Sequence, residues 1–286
     1  MLGRTLGFAL VLVACPDGDA NEDDARPALP PGMIARPATN ADVAPPPVPL
    51  SPATPVDTAR AQASWPHDTA AYTQGLLLAD GRLLESTGLV GRSDVREVEL
   101  ATGRVARSRK LPRQHFGEGI ALVRGRLFQV TWRAGQGYVY DPRTLAPIDS
   151  FMYQGEGWGL TSDGRVLYLS DGSAEIRVMD PDTRTVQRAF SVTDGGRRVH
   201  ALNELEWVEG ELWANVYQTD WIARIGPASG RVLRWVWLGR LLTPAEKQRV
   251  QARGGVANGI AYDAAGKRVL LTGKYWPRLF AVATAR

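Results

Sequence analysis

The chain repeats one pattern five times between Thr73 and Gly273. Each copy has a short stretch of small residues, an apolar run, a turn that contains glycine, and a second apolar run. Two apolar runs joined in this way indicate a β-hairpin, because glycine readily adopts the positive φ that a tight turn needs. The turn glycines are separated by 44, 39, 46 and 56 residues, at Gly81, Gly125, Gly164, Gly210 and Gly266.

Two further strands follow each hairpin. In the first copy they are predicted at 94–100 and 104–110, and in the third copy at 175–180 and 184–190. Four antiparallel strands in a repeat of about 40 to 50 residues are typical of a propeller blade. The sequence therefore predicts an all-β, five-bladed β-propeller with four antiparallel strands per blade.

The last copy has residues for only three strands, since the chain reaches Arg286 soon after the strand predicted at 278–283. An open blade would leave an unpaired sheet edge, which folded proteins avoid. We therefore expect the residues just before Trp65 to supply the missing outer strand and to close the ring.

The longest interval between turns holds a helix signal. Thr243 is a suitable N-cap, Pro244 suits the first helical position, and Glu246 completes a capping box, while Gly254 and Gly255 end the segment. One short helical insertion is predicted near 243–253.

The first 64 residues differ in composition from the rest, since they contain 11 of the 19 prolines and none of the 9 tryptophans. A segment of this kind buries too little apolar surface to fold alone. We expect a signal peptide over 1–15, a disordered proline-rich linker over 16–64 whose last residues close the propeller, and the propeller domain over 65–286.

The signal peptide is predicted from Arg4 and the apolar run at 6–14, which is too short to span a bilayer as a helix. Its end at 12–15 resembles the lipobox of bacterial lipoproteins, in which the cysteine is lipidated. The alternative is that Cys15 stands there by chance. The expectation is an exported protein of the cell envelope or periplasm, anchored through a lipid on Cys15.

The net charge of +4 and the pI near 9.4 come from arginines scattered singly along the strands. Such a pattern indicates a solvated basic surface and no nucleic-acid partner. Cys15 is the single cysteine, so the domain has no disulfide and no cysteine metal site. Three separated histidines do not form a metal triad, so no metal site is predicted: His67, His115 and His200.

The repeat also predicts which residues face the propeller axis. One position per copy varies among polar and aromatic residues while its neighbours stay alike, which indicates a shared asymmetric ligand site. These residues are Gln74, Glu118, Trp158, Asn203 and Asn258. A second such position is held by Gly88, Trp132, Asp171, Tyr217 and Gly273. Together they predict an aromatic cage with one acid and several amides.

The other conspicuous acids and tryptophans are assigned to the site, to the rim or to packing by their surroundings in the sequence. Glu118 lies between two glycines in an apolar strand, where an unused carboxylate would be costly to bury. Glu156 is a competing acid that we place at the rim. The tryptophans of the fourth copy are expected to pack between strands: Trp207, Trp213, Trp221, Trp235 and Trp237.

Several segments, taken in order, closely resemble the plant and bacterial type of glutaminyl-peptide cyclotransferase, and the resemblance covers residues 65–286. They are 65–68 (WPHD), 71–76 (AYTQGL), 116–119 (FGEG), 131–132 (TW), 155–160 (GEGWGL), 202–206 (LNELE), 213–220 (WANVYQTD) and 271–274 (LTGK).

The resemblance implies a five-bladed propeller that converts the N-terminal glutamine of peptides or proteins into pyroglutamate and releases ammonia. It implies that Glu118 carries protons, with Asn203 and Lys274 as further catalytic residues. The substrate-binding residues that it implies are Gln74, Trp132, Trp158 and Tyr217, and the family often has Trp at the position of Tyr217. The resemblance implies that no cofactor is required, and it leaves open whether a structural calcium ion binds in the channel. Contact with a membrane is expected only through the lipid anchor.

The cyclisation chemistry is compatible with these residues. The α-amine attacks the side-chain amide of the same residue, so a pocket that folds the substrate matters more than an external nucleophile. Two alternatives remain: a non-catalytic lipoprotein that binds a peptide or glycan in the same cage, and a calcium-dependent lactonase or phosphotriesterase. The second needs several axial acids, and the chain offers mainly Glu118 and Asp171.

Overall fold

The structure is a computed structural model that describes residues 48–283. The predicted signal peptide, Cys15 and residues 16–47 of the predicted linker lie outside the described residues. Within residues 48–283, no helix is long and apolar enough to cross a membrane.

The described chain consists of strands and one helix. Strands β1 (Val56–Thr58) and β2 (Ala61–Pro66) come first. The first repeat forms β3 (Thr73–Ala79), β4 (Arg82–Thr87), β5 (Asp94–Val98) and β6 (Val105–Lys110). The second repeat forms β7 (Gly117–Val123), β8 (Arg126–Thr131), β9 (Gln136–Tyr140) and β10 (Pro147–Met152). The third repeat forms β11 (Leu160–Ser162), β12 (Leu167–Leu169), β13 (Glu175–Met179) and β14 (Val186–Ser191).

The rest of the chain adds a short hairpin before the fourth repeat and a helix after it. The hairpin is β15 (Thr193–Asp194) and β16 (Arg197–Arg198). The fourth repeat forms β17 (Leu202–Val208), β18 (Glu211–Val216), β19 (Trp221–Gly226) and β20 (Arg231–Trp237). Helix α1 (Pro244–Gln251) is followed by β21 (Ala257–Asp263), β22 (Arg268–Gly273) and β23 (Arg278–Ala283).

These strands form an all-β propeller with almost no helix, as predicted. Four sheets have four strands each, so four four-stranded blades are present where five were predicted, and the remaining sheet has seven strands. In the larger sheet, β1 and β15 pair in parallel with β20, the outermost strand of the fourth repeat. The added strands cover an edge of β20 that would otherwise stay unpaired.

The segment before Trp65 belongs to the fold. Strand β2 pairs antiparallel with β23 and is the fourth strand of the last repeat's sheet. The carboxylate of Asp194 accepts hydrogen bonds from the backbone of Leu50 and Ser51, both at 2.8 Å. The part of the predicted linker over 48–64 is therefore packed against the blades.

The first strands of the repeats contact one another in a closed ring: β3 with β7, β7 with β11, β11 with β17, β17 with β21, and β21 with β3. Glycine permits this close approach. A Cβ on Gly119 would lie 2.3 Å from the backbone nitrogen of Leu160, and a Cβ on Gly159 would lie 2.1 Å from the carbonyl oxygen of Asn203. The residues beside these glycines are thereby brought to the axis.

The hairpin turns follow the predicted chemistry with one exception. Asp80–Gly81, Arg124–Gly125 and Glu209–Gly210 have positive φ at both central residues, which fits the twist of a hairpin. In the last repeat the positive φ of 48° is found at Lys267 and not at Gly266. The expected role of Gly266 is therefore wrong, because its turn is longer.

Helix α1 confirms the predicted insertion. The Thr243 side chain accepts from the backbone of Glu246, and the Glu246 side chain accepts from the backbone of Thr243, which completes the capping box. The predicted packing role holds for two tryptophans that are almost fully buried between strands, Trp213 and Trp235.

Candidate active site

Glu118 is the centre of the candidate site. It is the second residue of β7, next to the glycine that lets β7 approach β11, and it is 4% exposed. Its Oε1 accepts a 3.0 Å hydrogen bond from Nε2 of Gln74 on β3. Its Oε2 is buried and has no hydrogen-bond partner among the described residues. One carboxyl oxygen is thus held in place and the other is available to a ligand.

A second amide orients the first. Nδ2 of Asn258 donates to Oε1 of Gln74 at 3.1 Å and to the carbonyl oxygen of Thr73 at 2.9 Å. Because Oε1 of Gln74 accepts from Asn258, the amino group of Gln74 must face Glu118. The sequence placed Asn258 in the ring without a role, and the structure shows that it orients Gln74.

The electrostatics of the site follow from burial. Burial raises the pKa of Glu118 well above its usual value; the positive charge of Lys274 opposes this shift, and the charge of Glu156 adds to it. Burial lowers the pKa of Lys274 to about 8, against the attraction of Glu118. Each group therefore gains or loses a proton nearer to neutral pH than it would in water.

Lys274 lies between two aromatic rings. Its Nζ is 4.6 Å from the ring centroid of Tyr72 and 4.9 Å from that of Tyr217. Lys274 is 2% exposed, and its ammonium group forms no hydrogen bond to the described residues. Cation–π attraction to the two rings therefore replaces part of the hydration that the ammonium group loses on burial. Its donors remain available to a ligand.

The carboxylate of Glu156 holds two tryptophans of the aromatic cage. The indole Nε1 atoms of Trp132 and Trp158 both donate to Oε2 of Glu156 at 2.9 Å. The other oxygen of Glu156 accepts from Nε of Arg133 at 3.2 Å, and the guanidinium of Arg133 lies 3.9 Å from the Trp132 ring centroid. Glu156 therefore fixes the orientation of two cage residues, a role that its placement at the rim did not predict.

Further aromatic residues complete the cage. Trp158 meets Tyr217 edge to face at a centroid distance of 5.5 Å. Tyr72 packs against Phe116 at 6.0 Å and against Tyr275 at 5.3 Å. Tyr72, Phe116 and Tyr275 were not among the predicted site residues, although Tyr72 and Phe116 stand within two residues of Gln74 and Glu118 in the sequence.

Two predicted residues are placed differently from the rest. Asn203 is buried in β17, but its side-chain amide forms no hydrogen bond to the described residues, whereas its carbonyl oxygen accepts from Oγ of Ser170 at 2.6 Å. Asp171 belongs to a turn, since its Oδ1 accepts from the backbone of Ser173 at 3.1 Å and its Oδ2 lies 3.7 Å from Arg177. The carboxylate of Asp171 is therefore engaged in local contacts.

Two further carboxyl groups that the sequence did not single out lie on β17, the buried Glu204 and the half-buried Glu206. Glu204 on β17 accepts hydrogen bonds from the backbone of Leu76 at 3.2 Å and of Ile260 at 2.9 Å, on the first strands of two other repeats. Glu206 accepts from the backbone of Tyr262 at 2.8 Å and from Oγ1 of Thr161 at 3.2 Å. Both carboxyl groups therefore tie the inner strands together. Among residues 48–283, no cluster of three or more histidine, cysteine or acidic side chains is arranged to hold a metal ion.

Comparison with known proteins points to one family. Residues 35–284 match the family described as glutamine cyclotransferase. A curated glutaminyl-peptide cyclotransferase of Arabidopsis thaliana is 45% identical over 223 residues, which cover 77% of this chain and 69% of the relative. The crystal structure of a glutaminyl cyclase of Myxococcus xanthus superposes with a TM-score of 0.73 at 31% identity, covering 80% of this chain and 97% of that chain.

Proposed function

The chain belongs to the glutamine cyclotransferase family, and from this membership we propose that it cyclises the N-terminal glutamine of peptides and proteins to pyroglutamate, with Glu118 moving the protons. The reaction releases ammonia. The single observation that carries the role of Glu118 is its buried Oε2, which no donor within residues 48–283 satisfies. A buried carboxyl oxygen without a partner is costly unless a ligand uses it.

The proton transfers balance through this one group. The neutral α-amine of the substrate attacks the carbon of its own side-chain amide, which forms the ring N–C bond and a negatively charged oxygen. The carboxylate of Glu118 takes a proton from the attacking nitrogen and gives it to the amide nitrogen, which leaves as ammonia when the C–N bond breaks. A pKa raised by burial makes the carboxylate a better base for the first transfer.

Lys274 is proposed to stabilise the negative oxygen that develops on the attacked amide. Its ammonium is buried and has no hydrogen-bond acceptor among the described residues, so a charge that appears beside it would be stabilised more strongly than in water. Asn203 also has a side-chain amide with no partner among the described residues. We assign it to the same oxygen, as a second donor.

The aromatic cage is proposed to fold the substrate. Trp132, Trp158 and Tyr217 form an apolar wall, on which the extended glutamine side chain must curl back toward its own amine. An intramolecular reaction of this kind gains most of its rate from orientation. Gln74 belongs to the same machinery because it orients Glu118.

Two structural expectations belong to the proposal. We propose that the seven-stranded sheet serves as the fifth blade, since β17 stands in the ring of first strands between β11 and β21. We also propose that residues 1–15 direct export to the cell envelope and that Cys15 carries a lipid, which the mass of the mature N-terminal peptide would test.

The test of the function is ammonia release from a dipeptide that begins with glutamine, in the presence of a chelator. The matched control substrate begins with asparagine, whose shorter side chain cannot close the five-membered ring. We expect release from the first dipeptide alone and no effect of the chelator. No release from the glutamine dipeptide would reject the proposal in favour of a non-catalytic binding protein, and loss of activity with the chelator would reject metal-free chemistry.

A further inference from the structure

His67 follows directly after β2 and is buried beside the candidate site. Its side chain is 2% exposed, and that of its partner Glu85 is 1% exposed. Its ring Nδ1 lies 2.9 Å from the carbonyl oxygen of Trp276, and its Nε2 lies 3.1 Å from Oε1 of Glu85. Both ring nitrogens therefore face oxygen atoms.

Neither oxygen can be a donor. The Trp276 carbonyl can only accept, so Nδ1 of His67 must carry a proton. Glu85 receives two hydrogen bonds on Oε2 from Arg96, at 3.0 and 2.8 Å, and one on Oε1 from Oγ1 of Thr73 at 2.6 Å. A carboxyl group with these donors is ionised, so Nε2 of His67 must carry a proton as well.

The charges around the ring support this state. Burial lowers the pKa of His67, but the charge and hydrogen bond of Glu85 outweigh it and raise the pKa above 6.5, with Arg96 opposing. Burial acts to raise the pKa of Glu85, but His67 and Arg96 lower it to about 2. The other charges facing the cluster are Asp68, which contacts Arg96 at 3.1 Å, and Asp94.

The cluster is connected to Lys274 through the backbone. The four residues 274–277, here called the Lys274 loop, join β22 to β23. The backbone nitrogen of His67 donates to the carbonyl of Pro277 at 3.0 Å, and the backbone nitrogen of Tyr275 donates to the carbonyl of Ala71 at 2.7 Å. Tyr275 has a φ of 63°, a conformation that an L-residue adopts only when its surroundings hold it there.

We propose that His67 is a positioning residue: as a buried imidazolium it ties the Trp276 carbonyl to Glu85 and so holds the Lys274 loop in the conformation that keeps Lys274 in the site. This inference rests on the proposed function. A neutral ring has one N–H only, so loss of the second proton would leave either Glu85 or the Trp276 carbonyl without its donor. The Lys274 loop would then no longer be held in the conformation that places Lys274 in the site.

The protonation state of the His67 ring is tested by nitrogen NMR from pH 6 to pH 9, on the full chain produced with isotopically labelled histidine. The chain has three histidines, so the signals of His67 are those lost in His67→Asn. We expect both of its ring nitrogens to give protonated signals at pH 7. An unprotonated nitrogen at that pH overturns the proposal, whatever the activity of the enzyme.

The positioning role is tested by a matched pair of variants. The amide nitrogen of Asn takes the place of Nδ1 and can still donate to Trp276, whereas that of Gln takes the place of Nε2 and can donate only to Glu85. We expect His67→Gln to lower kcat by about 10- to 100-fold with a smaller change in KM, and His67→Asn to lose less. His200→Gln, at an exposed position, is the control and should match the wild type.

A merely structural role predicts another pattern. If His67 contributes only to stability, the folded His67→Gln and His67→Asn proteins should have similar kcat values, and that result overturns the positioning role. If His67→Gln does not fold, the wild-type NMR spectrum decides, because a neutral ring is incompatible with the proposal. An inactive wild type would reject the proposed function while leaving the NMR result valid.

Discussion

Gln74 donates a 3.0 Å hydrogen bond to Oε1 of Glu118 and leaves Oε2 of the same carboxyl group without a partner among the described residues. Each is the second residue of the first strand in its repeat, and these two neighbouring strands approach closely because Gly75 follows Gln74. The repeat geometry of the fold thus produces a carboxyl group with one fixed and one available oxygen.

Replacing Asn258 tests how this pair is oriented. In Asn258→Ala, Oε1 of Gln74 loses its donor, and the amide can rotate so that its carbonyl faces Glu118. We expect kcat/KM for a glutamine dipeptide to fall about 10-fold, the cost of roughly one hydrogen bond to a charged group. Gln187→Ala, on the exposed side of β14, is the control. Unchanged kinetics in Asn258→Ala would show that Gln74 holds its orientation without Asn258.

Replacing Glu156 tests the aromatic wall. In Glu156→Ala, the indole groups of Trp132 and Trp158 lose their shared acceptor and are free to turn. We expect KM to rise about 10-fold while kcat changes by less than about 3-fold, because substrate binding is affected more than the proton transfers. Steady-state kinetics measure this split. A fall in kcat with constant KM would instead make Glu156 part of the proton chemistry.

Tyr217 contributes a ring and a hydroxyl group, and two variants separate them. Tyr217→Phe keeps the ring over Lys274 but removes the hydrogen bond to Tyr72. Tyr217→Ala removes both. We expect activity within about 3-fold of wild type for Phe and a rise in KM of about 10-fold for Ala. Equal losses in both variants would assign the effect to the hydroxyl group.

Glu206 predicts how stability depends on pH. Burial raises its pKa from 4.5 to about 8, against hydrogen bonds that lower it. Between these values the folded protein keeps a proton that the unfolded chain has released, so the contribution of Glu206 to stability falls as the pH rises from about 5 to 8. Urea unfolding at pH 5, 6.5 and 8 should show a steeper decline for the wild type than for Glu206→Gln. Parallel curves for the two proteins would contradict the shift.

The sequence predicted the ring of Gln74 and Glu118 because a repeat converts equivalent positions into neighbours around one axis. It did not predict the partners of Glu156 or the orientation by Asn258, since these depend on rotamers and on contacts between repeats that no single copy contains. Asp171 illustrates the limit. Its repeat position matched that of Trp132 and Tyr217, but a local turn with Ser173 and an ion pair with Arg177 take up its carboxylate.

The fold shows the same difference between local and long-range features. The turns at Gly81, Gly125 and Gly210 were predictable because positive φ is a local demand on one residue type. The seven-stranded sheet was not, because β1 and β15 pair with β20 across long stretches of chain. Such pairings depend on which edge is left open, and that is a property of the assembled ring.

The proposed role of Glu118 in carrying the protons of glutamine cyclisation is tested most directly by mass spectrometry of a glutamine peptide incubated with the enzyme. The wild type should convert the peptide to a product lighter by one ammonia molecule. Glu118→Gln keeps the shape of the side chain but has no proton to exchange, and we expect its rate to fall about 100- to 10,000-fold while circular dichroism shows a folded protein. Glu99→Gln, on the exposed surface, should match the wild type. Full conversion by folded Glu118→Gln at the wild-type rate would contradict the account.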